Sequence, residues 1–288
     1  MSDLWEFFRE PFGFAFMQRA LFATLMVSVV SACIGTFVVL KGLAFIGDAL
    51  AHASFAGVAT AFVLGGNIYL GALIAALITA LAIAFVGSRA RVSFDTAIGI
   101  LFVGAFALGI LIVSRQANYT VDLFSFVFGN VLGVGRDDLL LIAVMGLVVL
   151  VTVALFYRQL LFTAYDPTMA AASGVPVGLV QYSLLAMLGI STVVALKAVG
   201  IVLVVAMLVT PAATASLLVR RVHYIMALGA VVGAVSSVVG LYVSYYGDVA
   251  SGAAIVLTAT VFFLLAFLFS PRRGLLAAMR APIPGGHA

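Results

Sequence analysis

Charged residues are scarce along the whole sequence. Asp, Glu, Lys and Arg make up 8% of the 288 residues, whereas 65% of the residues are hydrophobic. A soluble domain carries about 25% charged residues. No polar stretch exceeds about 25 residues, which is shorter than the roughly 50 residues of a small domain. The composition therefore excludes a soluble catalytic domain and predicts an all-α polytopic membrane protein.

Lysine and cysteine are also rare. The only two lysines, Lys41 and Lys197, both follow a leucine. A phosphate-binding P-loop needs a glycine directly before its lysine, so ATP-driven work would require another polypeptide. The single cysteine, Cys33, excludes a disulfide within the chain. No Ser/His/Asp set or pair of membrane glutamates suggests hydrolysis, and we expect neither enzymatic activity, a permanently bound cofactor nor a nucleic-acid partner.

Long apolar runs occupy most of the chain. A helix crosses a bilayer with about 20 mostly apolar residues, and about nine runs approach that length. We expect an interfacial segment at 1–16, where aromatic and charged residues mix and no cleavable signal is evident. A single transmembrane domain should follow at 17–270, and a cytoplasmic tail at 271–288. The predicted spans are 17–39, 42–64, 68–87, 95–114, 138–156, 179–196, 200–219, 223–246 and 251–270.

The basic residues indicate the orientation, because cytoplasmic loops carry an excess of Lys and Arg. With the N-terminus outside and nine alternating spans, nine basic residues fall inside and five outside. This count requires a true reversal of the chain near Lys197–Gly200. The inside set is Lys41, Arg89, Arg91, Arg158, Arg220, Arg221, Arg272, Arg273 and Arg280, and the outside set is Arg9, Arg19, Arg115, Arg136 and Lys197.

Two segments between the spans have their own patterns. Val121 to Val134 is apolar but only about 14 residues long, which favours a re-entrant or interfacial helix on the outer side. The second segment lies inside and favours a short helix: an aspartate caps it, a proline occupies its first turn, alanines extend it and a glycine ends it. We interpret it as a docking element for a soluble partner. Its residues are Asp166, Pro167, Thr168, Met169, Ala170, Ala171, Ala172, Ser173 and Gly174.

Two ionisable residues, Asp48 and His52, occur in the middle of the apolar run from Gly42 to Leu64. An ionised residue at bilayer depth costs roughly 2.5–3.5 kcal/mol on insertion scales. Residues four apart share one face of a helix, with Cβ atoms about 5–6 Å apart. Carboxylate oxygen and imidazole nitrogen suit Mn, Fe or Zn better than Cu(I). The pair therefore indicates half of a transition-metal site.

Two ligands are too few to hold a metal ion. A two-fold dimer with this helix near its axis would supply two aspartates and two histidines. A weak or shared site suits transport, because the ion must leave again. Two other interpretations stay open: Asp48 and His52 form an ion pair that fixes helix packing, or they relay protons.

Other residues have ambiguous patterns. Pro211 interrupts a predicted span and is a candidate gating hinge or a static kink, with Thr210 and Thr214 as candidate partners for the freed carbonyl. The pair Gly229-xxx-Gly233 is typical of close helix packing. Asp95 resembles the N-cap of its span. Four further acidic residues have two alternative interpretations, either as caps or turn residues or as groups that attract cations to the outer entrance: Asp122, Asp137, Asp138 and Asp248.

Six motifs, in order along the chain, resemble the permease subunit of bacterial ABC importers for manganese, zinc or iron. No single motif is specific for this family, but the six motifs in this order are. They are Gly47 to Ala53, Asp95 to Gly99, Val121-Asp122-Leu123 with Phe128-Gly129, Asp166 to Gly174, Lys197 to Gly200, and Pro211 to Ala215.

The resemblance implies an assembly in the bacterial plasma membrane. Two permease subunits, which we expect to be identical, form the pathway; two cytoplasmic ATPases bind below it; an extracytoplasmic protein delivers the metal. In this family the aspartate and histidine that match Asp48 and His52 are associated with metal coordination, and the segment matching Asp166 to Gly174 is the coupling helix. The alternatives are a proton-coupled secondary carrier that acts alone, and an ABC permease for a metal chelate.

Overall fold

The computed structural model describes residues 10–89, 92–115 and 131–270, with only the backbone described at 197–199 and 202. Within these ranges every regular element is helical. Short 3-10 turns at Pro11–Gly13 and Val131–Gly133 precede the first and fifth α-helices. The α-helices are α1 (Ala15–Leu40), α2 (Ile46–Val63), α3 (Ile68–Arg89), α4 (Phe94–Val113), α5 (Arg136–Leu155), α6 (Tyr157–Tyr165), α7 (Pro167–Ala172), α8 (Val177–Leu196), α9 (Leu203–Leu218), α10 (Val222–Gly247) and α11 (Ser251–Phe269).

Eight of the described helices are long and apolar enough to cross a membrane, which confirms the predicted all-α polytopic fold. The predicted span at 200–219 corresponds to α9, which is apolar but shorter than the others. Helices α6 and α7 lie between α5 and α8, and only α7 was expected from the sequence. Three predictions fall wholly or partly outside the described residues: the interfacial segment at 1–16 up to residue 9, the outer helix at 121–134 up to residue 130, and the whole tail at 271–288.

Between α8 and α9 the chain reverses its direction. Gly200 there has φ 76° and ψ 170°, a conformation open almost only to glycine. Gln181 in α8 contacts Lys41, which follows α1 directly. The backbone of Leu208 in α9 packs on Gly35 in α1, six positions before Lys41. A straight helix would separate Gln181 from Leu208 by about 40 Å, whereas Gly35 and Lys41 are only about 9 Å apart along α1. The predicted reversal is therefore present.

Helices α1, α2 and α8 form the centre of the bundle. Their most apolar windows are 67%, 61% and 67% buried, against 22% for α4, α5 and α11. Small residues allow α10 to approach this centre closely: an added Cβ at Gly233 in α10 would lie 3.0 Å from Ser28 Cβ in α1. The Ser28 hydroxyl also lies 3.3 Å from that of Ser237. The Gly229-xxx-Gly233 motif is thus a helix-packing motif, as predicted.

A tight turn places the start of α2. Gly42, with φ 69°, ends α1 as its amide bonds to Val39 O at 3.2 Å, and the Leu43 amide bonds to Val38 O at 2.9 Å. This is the Schellman arrangement of a helix C-terminus. Leu43 is buried, so the chain turns back into the bundle before α2 begins. The predicted helical start at 42 was wrong, and α2 begins at Ile46.

The sequence also misplaced one cap. Ser93, not Asp95, is the N-cap of α4, because its hydroxyl accepts a hydrogen bond of 3.1 Å from the Thr96 amide. Asp95 instead lies in the first helical turn, where the positive end of the helix dipole stabilises its negative charge. Asp138 does take part in a cap, since its Oδ2 accepts the Gly135 amide at 2.9 Å before α5.

Candidate metal centre

Asp48 lies in the first turn of α2 and His52 one turn later, on the same face. The aspartate is therefore near the beginning of the helix and not in its middle, because the Gly42 turn delays the helical start. A carboxylate in a first turn is stabilised by the unpaired amides and the dipole of the helix. This local geometry lowers the free-energy cost of keeping an acid within an apolar segment.

The two side chains are in direct contact. His52 Nδ1 lies 3.2 Å from Asp48 Oδ1 and 3.0 Å from the main-chain oxygen of Asp48. Two ligands about 2.1 Å from one ion and at right angles to each other are about 3.0 Å apart. The separation of Nδ1 and Oδ1 therefore suits adjacent positions on a single divalent ion. Without an ion, a proton on Nδ1 is donated to the Asp48 oxygens.

Neither residue is locked into the core of the chain. The Asp48 side chain is 41% exposed and that of His52 is 30% exposed. Among the described residues no group of three or more His, Cys, Asp or Glu side chains is suited to hold a metal. One chain thus offers two ligands on an accessible face, and further ligands must come from outside the described residues or from another molecule.

Aromatic rings from α4 surround the imidazole, a feature that the sequence analysis missed. The Phe102 and Phe106 ring centroids lie 6.1 Å and 5.5 Å from that of His52, both edge-on, and Phe106 also contacts Phe55. Gly109 permits this approach, since an added Cβ would lie 2.7 Å from Phe55 Cδ1. The four-residue spacing of the two phenylalanines was the available signal, but it did not reveal which helix they face.

The predicted short helix is present as α7. Asp166 Oδ1 accepts the Met169 amide at 2.8 Å, Pro167 occupies the first turn, and Gly174, with φ 82°, ends the helix. Met169 is 57% exposed, whereas Ala170 is buried. The segment therefore presents an exposed apolar surface on the same side of the bundle as Lys41.

Lys41, which lies between α1 and α2, contacts the helices on either side of the α7 segment, and the sequence did not indicate these contacts. Its ammonium donates to Gln181 Oε1 at 2.9 Å and to the Thr163 carbonyl at 3.3 Å. Burial lowers the pKa of Lys41, since desolvation disfavours the charged ammonium.

Pro211 is buried within α9 and packs against α10. Its Cγ lies 3.6 Å from the position that a Cβ on Gly233 would take. Proline at 211 leaves the Met207 carbonyl without its helical donor. The Thr214 hydroxyl was a candidate partner for that carbonyl, but it donates to Thr210 O at 2.7 Å instead. The role of Pro211 as a gating hinge stays a prediction.

Comparison with known proteins adds independent information. The manganese transport system membrane protein MntC of Halalkalibacterium halodurans is 48% identical, over 96% of this chain and 94% of that protein. A probable iron transport system membrane protein of Haemophilus influenzae is 39% identical, over 93% and 94% of the two chains. The solved structure of PsaBC from Streptococcus pneumoniae in complex with Fab matches with a TM-score of 0.84 and 37% identity, over 96% of this chain and all of that chain.

A family model also matches nearly the whole described bundle. The match runs from residue 13 to 270, which includes every α-helix from α1 to α11. It therefore covers both the Asp48/His52 pair and the α7 segment. The chain belongs to the ABC 3 transport family.

Proposed function

We propose that this chain is the membrane subunit of an ATP-driven importer in the bacterial plasma membrane, and that its cargo is a divalent transition-metal ion. The contact between Asp48 Oδ1 and His52 Nδ1, at 3.2 Å, carries the proposal. Manganese is the first ion to test, because the similar protein MntC from Halalkalibacterium is named a manganese transport system membrane protein. Iron is the second ion to test, because the similar Haemophilus protein is named a probable iron transport protein. Zinc is also compatible with carboxylate and imidazole ligands.

A second copy of the chain supplies the missing ligands. Asp48 and His52 are partly exposed on one face of α2, and a two-fold axis beside that face brings four ligands together. The site stays weak enough for release because neither chain binds the ion fully alone. Phe102 and Phe106 form an apolar wall that restricts the rotation of the His52 ring.

A separate ATPase provides the energy, and the α7 segment is its docking site. Asp166 and Gly174 fix both ends of this short helix, so Met169 is displayed on a rigid support. Two ATPase subunits would bind the two copies, as in other ABC transporters. Their closure on ATP moves the α7 segments, and the spans open the Asp48/His52 site to the cytoplasm.

An extracytoplasmic binding protein delivers the ion on the opposite side. With the N-terminus outside, this is the side of the loops from α2 to α3 and from α10 to α11. The C-terminus is then cytoplasmic. Asp248, in a left-handed conformation with φ 49°, marks the turn after α10 on that outer side. The subunit performs no chemistry on the ion and changes only which side of the membrane it can reach.

The proposal is tested by uptake of Mn²⁺ into cells that lack their own manganese importers. The variants Asp48→Asn and His52→Gln each remove one ligand per chain, which is two of the four in the dimer. Each is expected to lower uptake at least about tenfold, because the remaining shell is incomplete. Asp95→Asn is the matched control, since Asp95 is an exposed carboxylate in the first turn of α4 and forms no described ion pair with His52. Normal uptake by both ligand variants, at normal expression, contradicts the assignment.

The dependence on energy separates this proposal from a proton-coupled carrier. ATP-driven uptake persists in proteoliposomes that contain the ATPase when a protonophore is added, whereas proton-coupled uptake stops. An importer for metal chelates would instead need a wide neutral pathway, and the Asp48/His52 pair favours a bare ion.

A further inference from the structure

Lys41 occupies an unusual position for a charged residue in this bundle. It follows α1 directly, and its ammonium is half-buried with no carboxylate within 4.0 Å among the described residues. Desolvating an ammonium without a counter-charge costs free energy unless hydrogen bonds compensate. Two such bonds are present, to Gln181 Oε1 and to the Thr163 carbonyl.

These two acceptors lie on either side of the α7 segment. Thr163 is in α6, three residues before Asp166, and Gln181 is in α8, seven residues after Gly174. A single ammonium therefore connects the chain that enters the segment with the chain that leaves it. Any displacement of the segment relative to α1 must stretch or break at least one of these bonds.

Lys41 is also joined tightly to the helix that carries Asp48. Gly42 forms the turn, the Leu43 amide bonds back to Val38 O, and α2 begins at Ile46. Leu43 is 6% exposed and Ile46 is fully buried, so this connection is packed on both sides. Lys41 and Asp48 are only seven positions apart in the sequence.

We propose that Lys41 is a positioning residue that transmits movement of the α7 segment to the Asp48/His52 pair. The inference rests on the proposed function, since it assumes that an ATPase moves α7 and that the pair receives the ion. Through its two hydrogen bonds, Lys41 makes α6, α8 and the start of α2 move together. Without it, the ATPase turns over while the metal site follows its movement poorly.

The chain offers variants that separate this role from a purely structural one. Lys41→Met keeps the length and apolar packing of the stem and removes the donors. Gln181→Leu removes one acceptor and retains the lysine. Gln159→Leu is the matched control, because it makes the same change in neighbouring α6, where the amide oxygen has no hydrogen-bond partner in the described residues.

The experiment uses the complete complex of this chain with its ATPase in proteoliposomes. It measures Mn²⁺ taken up and phosphate released, and reports their ratio. Binding of Mn²⁺ to the purified complex is measured separately. For Lys41→Met we expect unchanged Mn²⁺ affinity and continued ATP hydrolysis, with the ratio lowered about fivefold or more, the lower end of typical coupling between sites. Lys41→Arg should restore part of the ratio, and Gln159→Leu should leave it unchanged.

Several outcomes overturn the inference. An unchanged ratio in Lys41→Met does so, and so does an equal fall of uptake and hydrolysis, which indicates a structural role. If Lys41→Met yields no complex, the ratio of Mn²⁺ uptake to phosphate release is measured for Gln181→Leu instead, and an unchanged ratio there also overturns the inference. Wild-type complex that shows no ATP-driven Mn²⁺ uptake would instead overturn the proposed function itself.

Discussion

Gly57 in α2 and Gly71 in α3 face each other so closely that a Cβ on either would overlap the carbonyl oxygen of the other. The two backbones are therefore in direct contact where the second and third spans cross. Such close approach is a common way for helices to gain packing contacts in lipid. Helix α3 is consequently a rigid support for the helix that carries Asp48 and His52.

Alanine at position 57 should weaken this support. Gly57→Ala forces the backbones apart, and overpacking of this kind typically costs about 1–3 kcal/mol. The measurement is thermal unfolding of the purified protein in detergent, where a lower midpoint is expected. Gly99→Ala is the control, because an added Cβ there meets nothing within 4 Å. Equal midpoints for the two variants would show that the contact is unimportant.

The cap of α4 gives a second prediction. Ser93→Ala removes the side-chain acceptor of the Thr96 amide and should destabilise the protein by about 1 kcal/mol. Asp95→Ala removes only a favourable charge in the first turn, and should cost about 0.3–1 kcal/mol. Chemical denaturation of both variants ranks the two residues. A larger loss for Asp95→Ala would restore the aspartate as the principal cap.

The α7 surface can be tested by association. Met169→Arg places a long charged side chain on an exposed apolar position, and we expect loss of the ATPase from pull-downs with normal protein expression. Met169→Leu keeps the apolar surface and should retain the partner. Ala170 is a poor probe, because it is fully buried and its replacement would disturb the helix itself. An intact complex with Met169→Arg would exclude this surface as the docking site.

The aromatic wall beside His52 should influence metal affinity. Phe106→Ala frees the imidazole on one side and should weaken Mn²⁺ binding about tenfold, as loss of an outer-shell support commonly does. Phe85→Ala is a suitable control, since Phe85 is 53% exposed on α3 and contacts Arg89 instead. Titration of the purified complex with Mn²⁺ measures the affinities. Equal affinities would show that the wall has no influence on the ligand.

Burial of Lys41 predicts a specific dependence of stability on pH. Its pKa in the folded protein is lowered by desolvation, below the unfolded value of about 10.4. Between these two pKa values the unfolded chain binds more protons, so stability rises with pH. Below the folded pKa, both states are protonated and the contribution is constant. The difference in unfolding free energy between wild type and Lys41→Met should therefore shift in favour of wild type across this alkaline window. A difference that is independent of pH would contradict the lowered pKa.

Features that depend on neighbouring residues were predictable from the sequence, whereas several that depend on the backbone conformation were not. The α7 helix was predicted residue by residue, because Asp166, Pro167 and Gly174 act on backbone groups within one turn. The end of α1 was predicted to within one residue, but the start of α2 was placed at 42 instead of 46, since the residues that follow the turn at Gly42 are also apolar. The choice of Asp95 over Ser93 failed because both residue types cap helices and only the backbone conformation distinguishes them.

The support of the candidate site was beyond prediction for a different reason. Lys41 contacts residues 122 and 140 positions later, and His52 contacts rings on α4. No local pattern encodes such pairs, because they depend on how the helices are arranged. The sequence therefore indicated the ligands Asp48 and His52 but not the side chains that hold them.

The reversal at Gly200 has a consequence for the compartments on either side of the membrane. Because α8 and α9 run in opposite directions, Ser173 before α8 and Arg221 after α9 emerge into the same compartment. A chain with Cys33→Ala and a new cysteine at either position should react with a membrane-impermeant thiol reagent from one side only, and from the same side in both cases. A single kinked crossing from 177 to 218 would have placed the two thiols in opposite compartments.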